Sequence, residues 1–200
     1  MNKTLLRVWL AAILLAGLCL ADSAPAVVSK LCVNCHGLDG NSESPLFPRL
    51  AGQRADYLVK QLGAYREQSR ANAAARDYMW GMAHLLNDDE ILAVASWFAA
   101  QRPSARTVKV SADQLRLGDK VFHEGKPDAG VVACAACHGA SGEGTPAAPR
   151  LAMQHGPYVI AQLKVLKTSE RPAASVMQTF ARNLTDQEIE ALAAYVESLH

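Results

Sequence analysis

Two stretches decide how this chain is read: "CVNCHGLDGNS" at 32–42 and "CAACHGASGEG" at 134–144. Each sets two thiols three residues apart and puts an imidazole directly after the second. C-x-x-C-H is the signature of covalent haem attachment. The spacing suits the chemistry. Thiols three apart reach the two vinyl groups of one haem and form thioethers, and the adjacent histidine lies under the iron as its proximal ligand. Structural zinc instead needs four ligands gathered locally, typically paired C-x-x-C units about 12–20 residues apart, and these pairs stand 102 residues apart. A thioredoxin-type dithiol belongs in a βαβ setting, which is absent here. Two disulfides are the ordinary fate of four exported cysteines, but they leave the repeated spacing unexplained. The strings therefore predict two covalently bound haem c groups. Cys32 and Cys35 hold one, Cys134 and Cys137 the other, with His36 and His138 as proximal ligands.

Composition is that of an ordinary soluble chain: 200 residues, 20 Lys and Arg against 19 Asp and Glu, and half the residues apolar. With no basic excess there is no electrostatic case for nucleic acid. The N-terminus reads as a secretory leader, with Lys3 and Arg7 first, then the uncharged run Val8 to Ala21, then small residues at Ala21, Ser23, Ala24 and Ala26. That run is short of the roughly 20 residues that a spanning helix needs. A cleaved signal peptide over 1–26 is expected, and with it export to the periplasm. Cys19, the fifth cysteine, leaves with the leader; Leu18 before it argues against a lipid anchor.

The likeness between the strings extends through both halves of the chain. "PRLAGQRADYLVKQL" (48–62) matches "PRLAMQHGPYVIAQL" (149–163), and "MWGMAHLLNDDEILAVASWF" (79–98) matches "MQTFARNLTDQEIEALAAYV" (177–196). Two units follow, 27–101 and 113–200, joined by a polar linker at 102–112 that contains Pro103. Both units read as helical. Asn87 with Glu90, and Thr185 with Glu188, have the spacing of a capping box. Apolar residues then recur at helical intervals: Ile91, Val94, Ala95 and Phe98 in one unit, Ile189, Leu192, Ala193 and Val196 in the other. A middle helix carries Tyr57, Leu58, Gln61 and Leu62; its partner carries Tyr158, Val159, Gln162 and Leu163. Gln114 to Glu124 predicts a further helix ahead of the second string, for which the first unit has little room.

The repeat also selects the distal ligands. Met79 aligns with Met177, whereas Met82 faces Phe180 and Met153 faces Gly52. Core filling is the commoner job for a methionine; symmetry favours Met79 and Met177 as sixth ligands. His84, His123, His155 and His200 have no repeated partner and read as surface residues. A ligating histidine usually donates its other N–H to a carbonyl or carboxylate. Pro48 and Pro149, 12 and 11 residues after their histidines, offer carbonyls for that bond, or are simple turn prolines. Arg49 and Arg150 come next and either pair with haem propionates or stay solvated.

These strings, the "PRLA" segments and the methionine segments together resemble the cytochrome c4 family of dihaem cytochromes c, over nearly the whole mature chain. The resemblance implies an all-α fold of two tandem cytochrome c domains facing each other about a pseudo-twofold axis. It implies His36 with Met79 and His138 with Met177 as axial pairs, and Pro48 and Pro149 as acceptors for the two histidines. The first unit departs from the pattern in its shortened leading helix and in the bulk of Trp80 beside Met79.

With both axial positions filled, no substrate reaches the metal, and outer-sphere electron transfer is the expected function, not catalysis. The expected partners are a cytochrome bc1-type complex or a dehydrogenase as donor and a terminal oxidase as acceptor, met by transient docking at the membrane. One rival is a dihaem subunit bound permanently to a dehydrogenase, as in flavocytochrome sulfide dehydrogenases. Another is a dihaem peroxidase or thiosulfate dehydrogenase. Peroxidase chemistry needs an open iron position, and no spare cysteine survives leader removal to serve as an unusual distal ligand.

Overall fold

The computed structural model describes residues 24–200, so the leader expected over 1–26 lies almost wholly outside it. Among the described residues all regular structure is helical, apart from two isolated antiparallel bridges, Lys126 with Val131 and Thr145 with Ala148. No helix there is long and apolar enough to cross a membrane.

The first unit opens on a wide π turn, Val28–Cys32, that runs straight into α1 (Val33–His36). Helix α2 (Ala55–Arg66) follows, then a second π turn, Ala75–Met79, leading into α3 (Trp80–His84), and then α4 (Asp88–Ala100). The second unit has α5 (Ala112–Glu124), α6 (Ala135–His138), α7 (Gly156–Val165), α8 (Ser175–Ala181) and α9 (Asp186–Ser198). Both expected capping boxes form: the side chains of Asn87 and Thr185 accept from the backbone of Glu90 and Glu188, which reach back in return. Such a cap contributes about 1 kcal/mol. A third box caps the helix that follows the linker. Ser111 Oγ accepts from Gln114 N at 3.2 Å, so α5 begins at Ala112, inside the stretch read as linker.

Each unit buries its own core. Helix α2 packs on α4 in the first, and α9 packs on α5 and α7 in the second. Phe98 and Phe122 are fully buried in their respective cores, each stabilising by about 2–3 kcal/mol. The α5–α9 crossing depends on Gly118. A Cβ there would lie 2.5 Å from the Tyr195 Cβ and closer still to the Ala191 carbonyl oxygen. Among the described residues the first unit has no equivalent crossing; ahead of α1 they hold only the short π turn Val28–Cys32. The linker has no regular structure before Ala112 and is fastened to the first unit: Asn41 Nδ2 donates to the Arg102 carbonyl at 3.0 Å, and Ser104 N donates to Asn41 Oδ1 at 2.8 Å.

Candidate functional site

Both C-x-x-C-H strings end a short helix, α1 and α6, and the chain then turns at Gly37 and Gly139 with φ of 75° and 87°. That turn buries the histidine against the loop that follows. His36 Nδ1 donates to the Pro48 carbonyl at 2.9 Å, and His138 Nδ1 donates to the Pro149 carbonyl at 2.8 Å. A carbonyl can only accept, so Nδ1 carries the proton and the lone pair stays on Nε2, free to ligate. Burial holds both imidazoles below their ordinary basicity, opposed in each case by the proline carbonyl. They are neutral, as metal ligands must be.

The proline carbonyls are themselves set by a repeated loop. Gly40 O accepts Leu50 N and Ala51 N at 2.8 and 3.1 Å; Gly142 O accepts Leu151 N and Ala152 N at 2.7 and 2.9 Å. Gly40 sits at φ 74°, and a Cβ would come within 2.8 Å of the Phe98 ring. Only glycine lets the loop close there.

Cys32, Cys35, Cys134 and Cys137 are free thiols, not disulfides. Burial pushes Cys32 and Cys134 up to about 11, so both are uncharged at neutral pH. Met79 ends the second π turn, half-buried against Tyr65, Ala75 and Ala83. Met177 lies in α8, half-buried against the second core. Met82 is 41% exposed. Met153 occupies a left-handed turn at φ 61°, where the first unit has Gly52 at φ 65°; their amides make equivalent bonds, to the Val196 and Phe98 carbonyls.

Arg49 and Arg150 turn inward. The Arg49 guanidinium donates to Met153 O at 3.0 Å, Asn41 Oδ1 at 2.7 Å and Ser104 O at 2.6 Å. The Nε–H groups of Arg49 and Arg150 are buried without an acceptor. An unpaired buried donor is costly, and an anionic acceptor such as a haem propionate suits each. Free thiol pairs, imidazoles with an open Nε2 and orphaned cationic donors all fit haem c. The chain carries two such groups, on Cys32 with Cys35 and on Cys134 with Cys137.

The same loops join the units. Gln154 Oε1 accepts Arg49 N at 2.8 Å and its Nε2 donates to Arg49 O at 2.9 Å. In mirror fashion Gln53 Oε1 accepts Arg150 N at 2.9 Å and its Nε2 donates to Arg150 O at 2.9 Å. Each glutamine mimics a strand partner for the other domain's backbone. Both lie inside the repeated segments but gave no chemical signal that marked them, since an interface between the two copies is invisible to either copy alone.

His155 corrects the surface assignment: it is 1% exposed. Ser42 O and Oγ lie 2.9 and 3.1 Å from its Nε2, and Arg106 lies 3.2 Å from its Nδ1. It lacks a repeat partner because its partners are the opposite domain and the linker. Glu197 Oε1 lies 3.8 Å from the same Nδ1. Burial first, then Arg106 and Arg49, hold this imidazole below its ordinary range, against the Ser42 carbonyl and Glu197. The unfolded chain therefore takes up a proton here before the folded chain does. Stability contributed at this site is complete above about pH 6.5, the ordinary imidazole value, and is lost as pH falls below it. Melting temperatures of His155→Gln are expected to fall less steeply with acid than those of the parent; equal slopes would contradict this.

The profile of the family described as Cytochrome c matches residues 21–101 and again 116–200. Cytochrome c4 of Azotobacter vinelandii is 36% identical over 183 residues, covering 86% of each chain. The thiosulfate dehydrogenase electron acceptor of Thiomonas intermedia is 30% identical over 170 residues, covering 82% of this chain and 76% of that protein. The structure of cytochrome c4 from Acidithiobacillus ferrooxidans superposes with a TM-score of 0.78 at 36% identity, over 84% of this chain and 98% of that one. Twin C-x-x-C-H sites on a duplicated helical fold, matched along their length by these proteins, place the chain in the cytochrome c4 family of dihaem electron-transfer cytochromes.

Proposed function

We propose that His36 with Met79 and His138 with Met177 are the axial pairs of a periplasmic electron shuttle, which delivers electrons toward a terminal oxidase. The observation that carries the reading is the paired histidine-to-proline bond, 2.9 Å in one unit and 2.8 Å in the other. It fixes both Nε2 lone pairs by the same device at matching positions of the repeat. Met79 and Met177 are the methionines that the repeat equates, and both are half-buried in their own cores.

Each haem supplies a one-electron couple when bound. The residues do the rest. Cys32, Cys35, Cys134 and Cys137 fasten the groups, Pro48 and Pro149 fix the tautomer of each histidine, and Arg49 and Arg150 offer cationic donors to acidic substituents. A methionine opposite a histidine raises the potential and closes the metal to small substrates. Likeness to a thiosulfate dehydrogenase electron acceptor supports a dehydrogenase as one donor.

The two shells differ. Phe47 meets the His36 ring edge-on at a centroid distance of 6.0 Å and Tyr78 at 5.4 Å, where the second unit has Ala148 and Val176; Trp80 stands where the second unit has Gln178. The two midpoints are therefore expected to differ. A pyridine haemochrome assay should count two haems per chain, and a spectroelectrochemical titration should resolve two one-electron waves. Superimposed waves would remove the asymmetry, and peroxide-dependent turnover would remove the shuttle reading.

A further inference from the structure

The residue after each methionine is tied to an arginine carbonyl. Trp80 Nε1 donates to Arg70 O at 2.8 Å, and Gln178 Nε2 donates to Arg171 O at 3.0 Å. Tryptophan and glutamine share little beyond an N–H group, yet they occupy matching positions of the repeat and make the same bond. Arg70 and Arg171 are equivalent too, at the offset that relates Pro48 to Pro149. Their guanidiniums reach across the junction between the domains. Arg70, 4% exposed, donates to Tyr158 Oη at 3.2 Å and Gln162 Oε1 at 2.6 Å in the second unit, and to Gln61 Oε1 at 2.6 Å in its own. Arg171 donates to Tyr57 Oη at 3.3 Å and Gln61 Oε1 at 3.1 Å in the first unit, and to Gln162 Oε1 at 2.9 Å in its own. The neighbouring backbone joins as well, Ala71 N donating to Glu170 O at 2.8 Å.

Six side chains thus make one near-symmetric figure, and none of them is a carboxylate; Glu170 turns its side chain to Arg76, 3.7 Å away. A cation buried on neutral acceptors, as Arg70 is, is expensive to keep, and the field of the pair is felt. Burial pushes the Tyr158 phenol up, but Arg70 and Arg171 outweigh it and hold that phenol below its ordinary range.

We propose that Arg70 and Arg171 are positioning residues for the two methionine segments, each anchored on the opposite domain, so that docking of the domains holds Met79 and Met177 in place. The proposal rests on the reading of those methionines as iron ligands. Its signature is an effect that crosses the domain junction. The Tyr158 hydroxyl, in the second unit, supports Met79 in the first, and the Tyr57 hydroxyl supports Met177 in the second. A role confined to local packing has no such exchange.

Imidazole binding to the ferric holoprotein tests this, because imidazole displaces a methionine from iron. NMR of methyl-labelled methionines reads each site separately. Arg70→Gln is expected to raise imidazole affinity at the first haem about tenfold, the scale of one hydrogen bond from a charged donor. Tyr158→Phe should raise it about threefold at the first haem, and Tyr57→Phe about threefold at the second, the low end of what one hydrogen bond contributes, because these are the longest of each guanidinium's contacts across the junction, 3.2 and 3.3 Å. Unchanged affinity in Arg70→Gln, or a Tyr158→Phe effect confined to the second haem, overturns the proposal. Met79→Ala keeps the two readings apart: it should leave one iron-shifted methionine methyl, that of Met177, and the survival of two means that the ligand assignment itself has failed.

Discussion

Met177→Ala is expected to turn the second haem high-spin, to let carbon monoxide bind there, and to lower its midpoint by roughly 0.2 V, part of the ~0.8 V over which axial ligands set haem potentials. The thioether favours ferrous iron, and its removal leaves a water or nothing in that place. Met177 also packs on the second core, so the variant loses some stability, about 2 kcal/mol for a half-buried methionine cut to alanine. The two effects separate by site: the first haem keeps its spectrum and potential. Met82→Ala is the matched control, because Met82 is 41% exposed and stands opposite Phe180 in the repeat. If Met82→Ala produced the high-spin haem that Met79→Ala should produce, the first-unit ligand would be misassigned.

Gly118→Ala should damage the second unit severely. Its Cβ would meet the Ala191 carbonyl oxygen and the Tyr195 Cβ at distances that no rotamer change relieves. Helices α5 and α9 must part, and their crossing organises the second core. Overpacking against backbone of this kind costs about 3 kcal/mol. The chain has two cores, so a single unfolding curve is a poor reading. The expected observation is that the spectrum of the second haem collapses at lower denaturant than that of the first, whereas the parent loses both closer together. Equal midpoints in the variant would mean that α5 slides along α9 at little cost.

Much of this architecture was legible before any coordinates. The cysteine and histidine spacing announces its cofactor, the duplication sets the number of domains, and Asn87 and Thr185 mark where the last helix of each unit starts. The rest belongs to contacts that no local pattern encodes. His155 looks like a stray surface histidine until the opposite domain closes over it. Gln53 and Gln154 look like ordinary polar residues until each is seen bonded to the other copy's backbone. Arg70 and Arg171 lay within reach, because carrying the offset of Pro48 and Pro149 a further 22 residues superposes them. The π turns at Val28–Cys32 and Ala75–Met79 have no sequence rule behind them. Ser111 with Gln114 did have one, but the change from linker to helix hid it among polar neighbours.

The glutamine pairs have one more implication. Gln53 grips the backbone of Arg150 as Gln154 grips that of Arg49, and these positions are equivalent in the two copies. The join is therefore self-complementary: either half carries both the hook and the eye. A single-unit ancestor with the same loop could have met its own twin through this contact. Fusing two genes would then have tethered a pair that already fitted, and later divergence could give the halves separate electrical characters without redesigning how they meet.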